Sequence, residues 1–214
     1  MGFLSKLFGR SKEEKALREA MAHIHRILDD EKFQLELVPP MMKTILESAP
    51  AYDKDPNGTG PFGFTESNPI PVNGPIGQLA YLSRLETQSG QRILFHRLGA
   101  IDKVDVFEAV SFNGADWFIL FVDLYHPRRS CLAPDGFRFT KEVAQFSGFH
   151  MFCENFPYDF IEKKSAKSES WLSMAYIANC KVSEQIQGRK FNRPLAHKAK
   201  LELVKSRLSS FQSQ

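Results

Sequence analysis

The chain has little of what usually advertises a function. Cysteine appears only at Cys131, Cys153 and Cys180, with no Cys-x-x-Cys pair. An odd, scattered set of this kind leaves no disulfide framework or paired-thiolate metal site. It fits a reducing cytoplasm, where a free thiol packs as a small apolar group. No apolar run approaches the ~20 residues that cross a bilayer, so no transmembrane segment is expected. The opening MGFLSKLFGR has no small-residue cleavage site, and Lys6 stands where a myristoylation signal carries Ser or Thr. Neither secretion nor that lipid anchor is read from it. HExxH, the Walker loop and GxSxG are all missing, and the Gly-rich stretch 58–63 (GTGPFG) precedes no clean strand-to-helix junction, so no cofactor or metal is expected. A net charge of +3 is too small to name a partner.

What is present describes a folded domain. The 214 residues are 43% hydrophobic and 25% charged, enough chain to bury a real core and too apolar for wholesale disorder. Nineteen phenylalanines favour strands and thick apolar layers over a bundle built from Leu and Ala. Residues 1–10 read as an amphipathic leader, with Phe3, Leu4, Leu7 and Phe8 on one face. Residues 11–211 read as a single α+β domain that carries a Pro/Gly-rich loop at 53–75 and a basic helical part from about 164. Between Lys181 and Arg207 eight Lys/Arg stand against Glu184 and Glu202 alone, so this end is locally basic.

The pattern along the chain sets the expected elements. Ser11 and Glu14 make a capping box. Leu17, Ala20, Met21, Ile24, Ile27 and Leu28 then recur at helical spacing. Phe33, Leu35 and Leu37 alternate, which predicts a short strand ended by Pro39-Pro40. Helices are expected over 41–48 and 75–85, and strands over 92–98, 104–112 and 116–125. The last two strands join through Asn113-Gly114, and either loop length compatible with that turn gives one parity. Val104, Val106, Glu108 and Val110 therefore share a face with Trp117, Ile119, Phe121 and Asp123. Phe118, Leu120 and Val122 are apolar on the other face, as in a central strand covered twice. The fold expected is a mainly antiparallel sheet centred on these strands, packed by the N-terminal helix and two C-terminal helices. Those two are 165–181 and one opening at Pro194, with Leu201, Val204, Leu208 and Phe211 inward.

Candidate chemistry gathers where the hairpin's apolar pattern stops. Glu108 and Asp123 share a face. A four-residue loop offsets them by about 7 Å and permits cooperation, whereas a two-residue loop offsets them by about 13 Å and does not. The structural alternative pairs each with a base such as Arg97. His96 and His126 are candidate acid/base groups with Asp123, and Arg128, Arg129 and Ser130 are candidates for holding an anion. The bland rival has the arginines capping carbonyls or bridging to the acidic N-terminal helix. Cys131 beside this cluster also admits a Cys–His reading, against a lone structural thiol. Within the loop, Asn68 is a candidate binding residue and its prolines a means of holding the chain extended.

The strings NPIPVNGPIG, FHRLG and YHPRRS, across about residues 60–140, resemble a motif string of uncharacterised bacterial proteins of similar size. That resemblance implies a bacterial origin and brings no activity with it. The expected function is a non-catalytic cytoplasmic binding protein, accessory or immunity-like. It would take a protein partner or a small anionic ligand through the edge 126–130 and the loop 56–75. The alternative is a hydrolase of a phosphate ester or nucleic acid. The basic C-terminal tract allows nucleic-acid contact without a recognition motif, and residues 3–8 allow a peripheral membrane contact.

Overall fold

The structure, a computed structural model, describes residues 15, 18, 19, 21–142, 145–159, 182 and 184–212, with side chains to Leu208. The leader 1–10, the capping box and the helix expected at 165–181 lie outside the described residues. A first helix, α1, covers 21–29 and buries Ile24, Ile27 and Leu28, the stripe read from its spacing. The strand expected at 33–37 does not form. Phe33, Leu35 and Leu37 belong to no strand, because 31–36 is a helix, α2 (Glu31–Glu36), whose N-cap Asp30 accepts the Phe33 N–H. A side-chain cap satisfies an otherwise orphaned donor, and here it overrides a short alternation of apolar residues. Helix α3 (Pro40–Ser48) follows, with its proline in the first turn where no N–H is missed.

The main sheet has five strands. They are β1 (Ile70–Pro71), β3 (Ile93–Ile101), β4 (Val104–Ser111), β5 (Trp117–Asp123) and β7 (Gly148–Phe149), in the order β1-β5-β4-β3-β7. The three long strands are antiparallel to one another, and the two short edge strands add in parallel. Two further strands, β2 (Leu85–Thr87) and β6 (Phe137–Phe139), make a separate small ladder. The protein is thus α+β, with a largely antiparallel, mixed sheet and helices packed on it. Helix α4 (Gly74–Ser83) and helix α5 (Leu195–Gln212) complete the elements used below.

The sheet is covered on both faces. Ile93, Phe95, Phe107, Ala109, Leu120 and Val122 pack with α1 and α4 into the larger core. Leu94, Val110 and Trp117 on the opposite face meet Cys153, Phe156, Val182, Ile186 and Phe191. Further along that face, Val104, Val106, Ile119 and Phe121 meet Leu201, Val204 and Leu208 of α5. The hairpin parity is the expected one, and its register is that of the shorter loop: Val110 opposes Trp117 and Glu108 opposes Ile119. Asp123 sits opposite Val104, four residues or about 13 Å along the strand from Glu108. The two carboxylates therefore serve different places.

Candidate functional site

Two clusters of ionisable groups result, one in the interior and one at the sheet edge. The interior cluster is centred on Glu108, whose side chain is 1% exposed. β4 presents it to α5, and β3 sets His96 directly opposite. His96 Nε2 lies 3.0 Å from Oε2, and His197 Nε2 lies 3.0 Å from Oε1. Arg193 closes the set with a two-point fork, Nε donating to Oε1 at 2.7 Å and Nη2 to Oε2 at 3.0 Å. Burial opposes ionisation of Glu108. The bonds from His197, His96 and Arg193 outweigh it and hold the carboxyl below the ordinary range.

The tautomer of His96 follows from its other neighbour. The Cys153 N–H donates to Nδ1 at 3.0 Å, so Nδ1 keeps its lone pair and the proton sits on Nε2, facing Glu108. Burial pushes the His96 pKa down, against the raising effect of Glu108. The ring stacks on Phe156 at 4.2 Å, while Trp117 lies under the Arg193 guanidinium at 4.9 Å. Each polar group of this cluster is aimed at the carboxylate. What the arrangement does chemically is fasten the start of α5 to the middle of the sheet.

Arg193 and His197 were not among the residues nominated from the sequence. A signal did exist for one of them. His197 falls on the same helical stripe as Leu201, Val204 and Leu208, and an imidazole on an inward stripe requires a buried partner. Arg97, the base suggested for Glu108, instead bonds Asp105 at 2.6 Å. Asp105 also accepts from Gln78 at 2.8 Å.

The edge cluster contains the residues the sequence nominated, spread over separate pairs. Asp123 Oδ2 meets His126 Nε2 at 3.3 Å and Lys103 Nζ at 3.1 Å. Burial of Asp123 is outweighed by His126, the Tyr125 N–H and Lys103, so its pKa is lowered. The other ring nitrogen of His126 faces the Pro50 carbonyl at 3.1 Å, and Tyr52 packs edge-on against the ring. Arg128 makes a fork on Asp53 at 2.6 and 3.2 Å, and with the Cys131 N–H it lowers the Asp53 pKa to about 2. Arg129 pairs with Glu31 at 3.0 Å and donates to the Leu28 carbonyl at 2.7 Å. Ser130 Oγ donates to the Asp53 carbonyl at 2.6 Å.

His126 and Asp123 are thus brought together, while His96 belongs to the Glu108 cluster and each arginine holds its own carboxylate. Asn68 is fully buried and donates to the Gly60 carbonyl at 2.8 Å. A Cβ at Gly58 would lie 2.6 Å from its Oδ1, so the loop is folded around this side chain. Cys131 is exposed and Cys153 buried. No group of three or more His, Cys, Asp or Glu among the described residues is arranged to hold a metal ion. No helix among them is long and apolar enough to cross a membrane.

Two surface features complete the inventory. An open groove of about 560 Å³ is lined by Phe64, Thr65, Glu66, Ser67, Phe121 and Arg207, and an Arg207–Glu66 ion pair bridges it. At the α2–α3 corner, Leu37, Met41 and Ile45 are 43%, 79% and 44% exposed. Compared with known proteins, the chain matches no family model, no curated protein and no solved structure.

Proposed function

We propose that this is a non-catalytic binding protein of the bacterial cytoplasm, and that it engages a protein partner through the outer side of the α2–α3 corner. The observation that carries the reading is the exposed row Leu37, Met41 and Ile45. These residues follow one another at four-residue intervals, and on α3 the last two are neighbours on one face. Leu46 of the same helix is buried, so α3 has an inner apolar face in the core and a second one turned to solvent. Apolar side chains gathered at one place on a surface mark sites of association more often than chance exposure.

The ionisable groups support the same reading from the other direction. An anionic ligand at Arg128 and Arg129 would have to displace Asp53 and Glu31, which already meet them at 2.6 and 3.0 Å. A partner that buries leucine, methionine and isoleucine displaces only water. The bacterial setting rests on the motif string, and the cytoplasmic one on three scattered cysteines without a Cys-x-x-Cys pair.

Site-specific photo-crosslinking in cells expressing the chain tests the proposal. A benzophenone side chain at position 41 is expected to give one discrete heavier adduct, lost when Ile45→Glu is added. The same probe at Lys54 is expected to give none. Equal labelling at both positions, or none at position 41, would overturn it.

A further inference from the structure

Helix α5 has a second apolar face that the core does not use. Taking about 100° of turn per residue, Leu201, Val204 and Leu208 fall together on the side buried against β3, β4 and β5. Leu195, Ala199 and Leu203 fall together on the opposite side, within about 80° of one another. All three are exposed, the two leucines at 84% and 65%. Lys198 and Lys205 flank this strip on one side, and Lys200 flanks it on the other, where Arg207 is paired with Glu66. Lys198 and Lys200 are exposed, and Arg189 and Lys190 add two more exposed cations just before the helix. Glu202 is the strip's acidic neighbour, and it is held by Lys205 at 3.5 Å.

We infer that this outer face of α5 is a docking surface for a bilayer rich in anionic phospholipid. An apolar strip between two cationic rows is the arrangement of a helix lying in a membrane interface. There, leucines dip toward the acyl chains and lysine stems reach up to the headgroups. The charge complements an acidic leaflet, where each Lys or Arg near the surface adds to the attraction. The shape favours a bilayer over a partner helix. Leu195 and Leu203 stand two turns apart, about 12 Å, with only Ala199 between them, which gives a folded partner no knob cluster to interlock with. A fluid interface needs none. A nucleic acid would use the cations and gain nothing from the leucines.

The interior network gives this surface its stiffness. Arg193 and His197 fasten the start of α5 to Glu108, and Leu208 packs over Gly99 of β3, 3.1 Å from where a Cβ would stand. Held at its start and again at Leu208, the helix cannot roll its leucines inward, so the strip is presented to solvent. This surface is separate from the α2–α3 corner, and either can fail without the other.

Co-sedimentation of the full chain with unilamellar vesicles tests the inference. Binding is expected to vesicles of equal parts phosphatidylcholine and phosphatidylserine, and not to phosphatidylcholine alone, with release as salt is raised. Leu195→Ser with Leu203→Ser, or Lys198→Glu with Lys200→Glu, should each weaken binding about ten-fold. Their circular dichroism and thermal midpoint should change little, because these side chains are exposed. A full-length control carrying Leu4→Ser and Leu7→Ser in the leader separates that segment's share. The inference is overturned if the chain ignores the mixed vesicles, or if only the leader control weakens binding. It is equally overturned if the chain binds single-stranded DNA through these lysines while Leu195→Ser/Leu203→Ser changes nothing.

Discussion

Two arginine–carboxylate forks in this molecule have nearly the same geometry and opposite surroundings. Arg193 grips Glu108 at 2.7 and 3.0 Å, and Arg128 grips Asp53 at 2.6 and 3.2 Å. The Glu108 side chain is 1% exposed, while Arg128 and Asp53 are 36% and 37% exposed. Around Glu108 two imidazoles compete for the same two oxygens. Around Asp53 the Cys131 N–H adds one bond at 2.8 Å, and the pair stays open to solvent. The comparison teaches that the bond lengths of an ion pair say little about its weight. What counts is what each partner has left if the other is removed.

The largest effect is therefore expected at Glu108. Glu108→Ala leaves two buried imidazoles and the partly buried Arg193 guanidinium, 27% exposed, without their carboxylate, and breaking a buried pair typically costs about 3–5 kcal/mol. Urea denaturation would register the loss. Hydrogen exchange would show it concentrated in α5, whose start the carboxylate holds. A cost near that of a surface pair would break the comparison.

Acid should act on the buried groups of both clusters in two stages with one sign. His96 has a folded pKa lowered by burial, so its unfolded form binds the proton more readily. Its contribution is complete above the ordinary histidine value and is lost as pH falls below about 6.5. Glu108 and Asp123 have folded values below the ordinary carboxylate range. Their contributions are complete above about pH 4.5 and are lost as pH falls further toward the folded values. The urea midpoint should thus decline from neutral pH and decline again below the carboxylate range. In His96→Gln the first stage should shrink to the share of His150, whose pKa burial also lowers, and the second should remain. An unchanged first stage would assign that slope to another histidine.

A conservative change sharpens the point about geometry. Arg193→Lys keeps the charge but loses the fork and the guanidinium's stacking over Trp117. An ammonium cannot bond both Oε1 and Oε2 in plane, and the expected cost is about 1–2 kcal/mol. It should be visible as a lower thermal midpoint with the α5 contacts retained.

The difference between the clusters also explains what the sequence disclosed. Strand positions and hairpin parity depend on neighbours in the chain, and alternation over 104–112 and 116–125 was sufficient for both. The exact register was not, since Asn113-Gly114 is compatible with two loop lengths. It is decided by local bonds, the Ser111 N–H donating to the Asp116 carbonyl at 2.9 Å and Asn113 Oδ1 accepting from Ala115 N–H at 3.1 Å. Residues 126–130 drew attention because they are contiguous, yet their partners Glu31 and Asp53 come from the other end of the chain. Glu108 and Arg193 are 85 residues apart, and nothing near either one names the other. The strand expected at 33–37 failed for a different reason. Three alternating apolar residues are too few to distinguish a strand from one turn of helix, and the alternation takes no account of Asp30 as an N-cap.

The smallest effect is expected at the exposed fork. Arg128→Ala removes a guanidinium that is over a third exposed, and pairs of this kind contribute about 0–1 kcal/mol. Asp53 would keep the Cys131 N–H, which donates to its Oδ1 at 2.8 Å, and water would fill the vacated side. The Asp53 carboxyl should then rise from about 2 toward its ordinary value, a change that NMR titration of the side-chain carbon reads directly. Added salt should mimic part of the substitution in the parent protein and do little in Glu108→Ala, because screening reaches exposed charges and not buried ones. If Arg128→Ala were as costly as Glu108→Ala, burial would not be what separates the two forks. Residues 126–130 would then have to be treated as a structural centre of equal rank with the interior network.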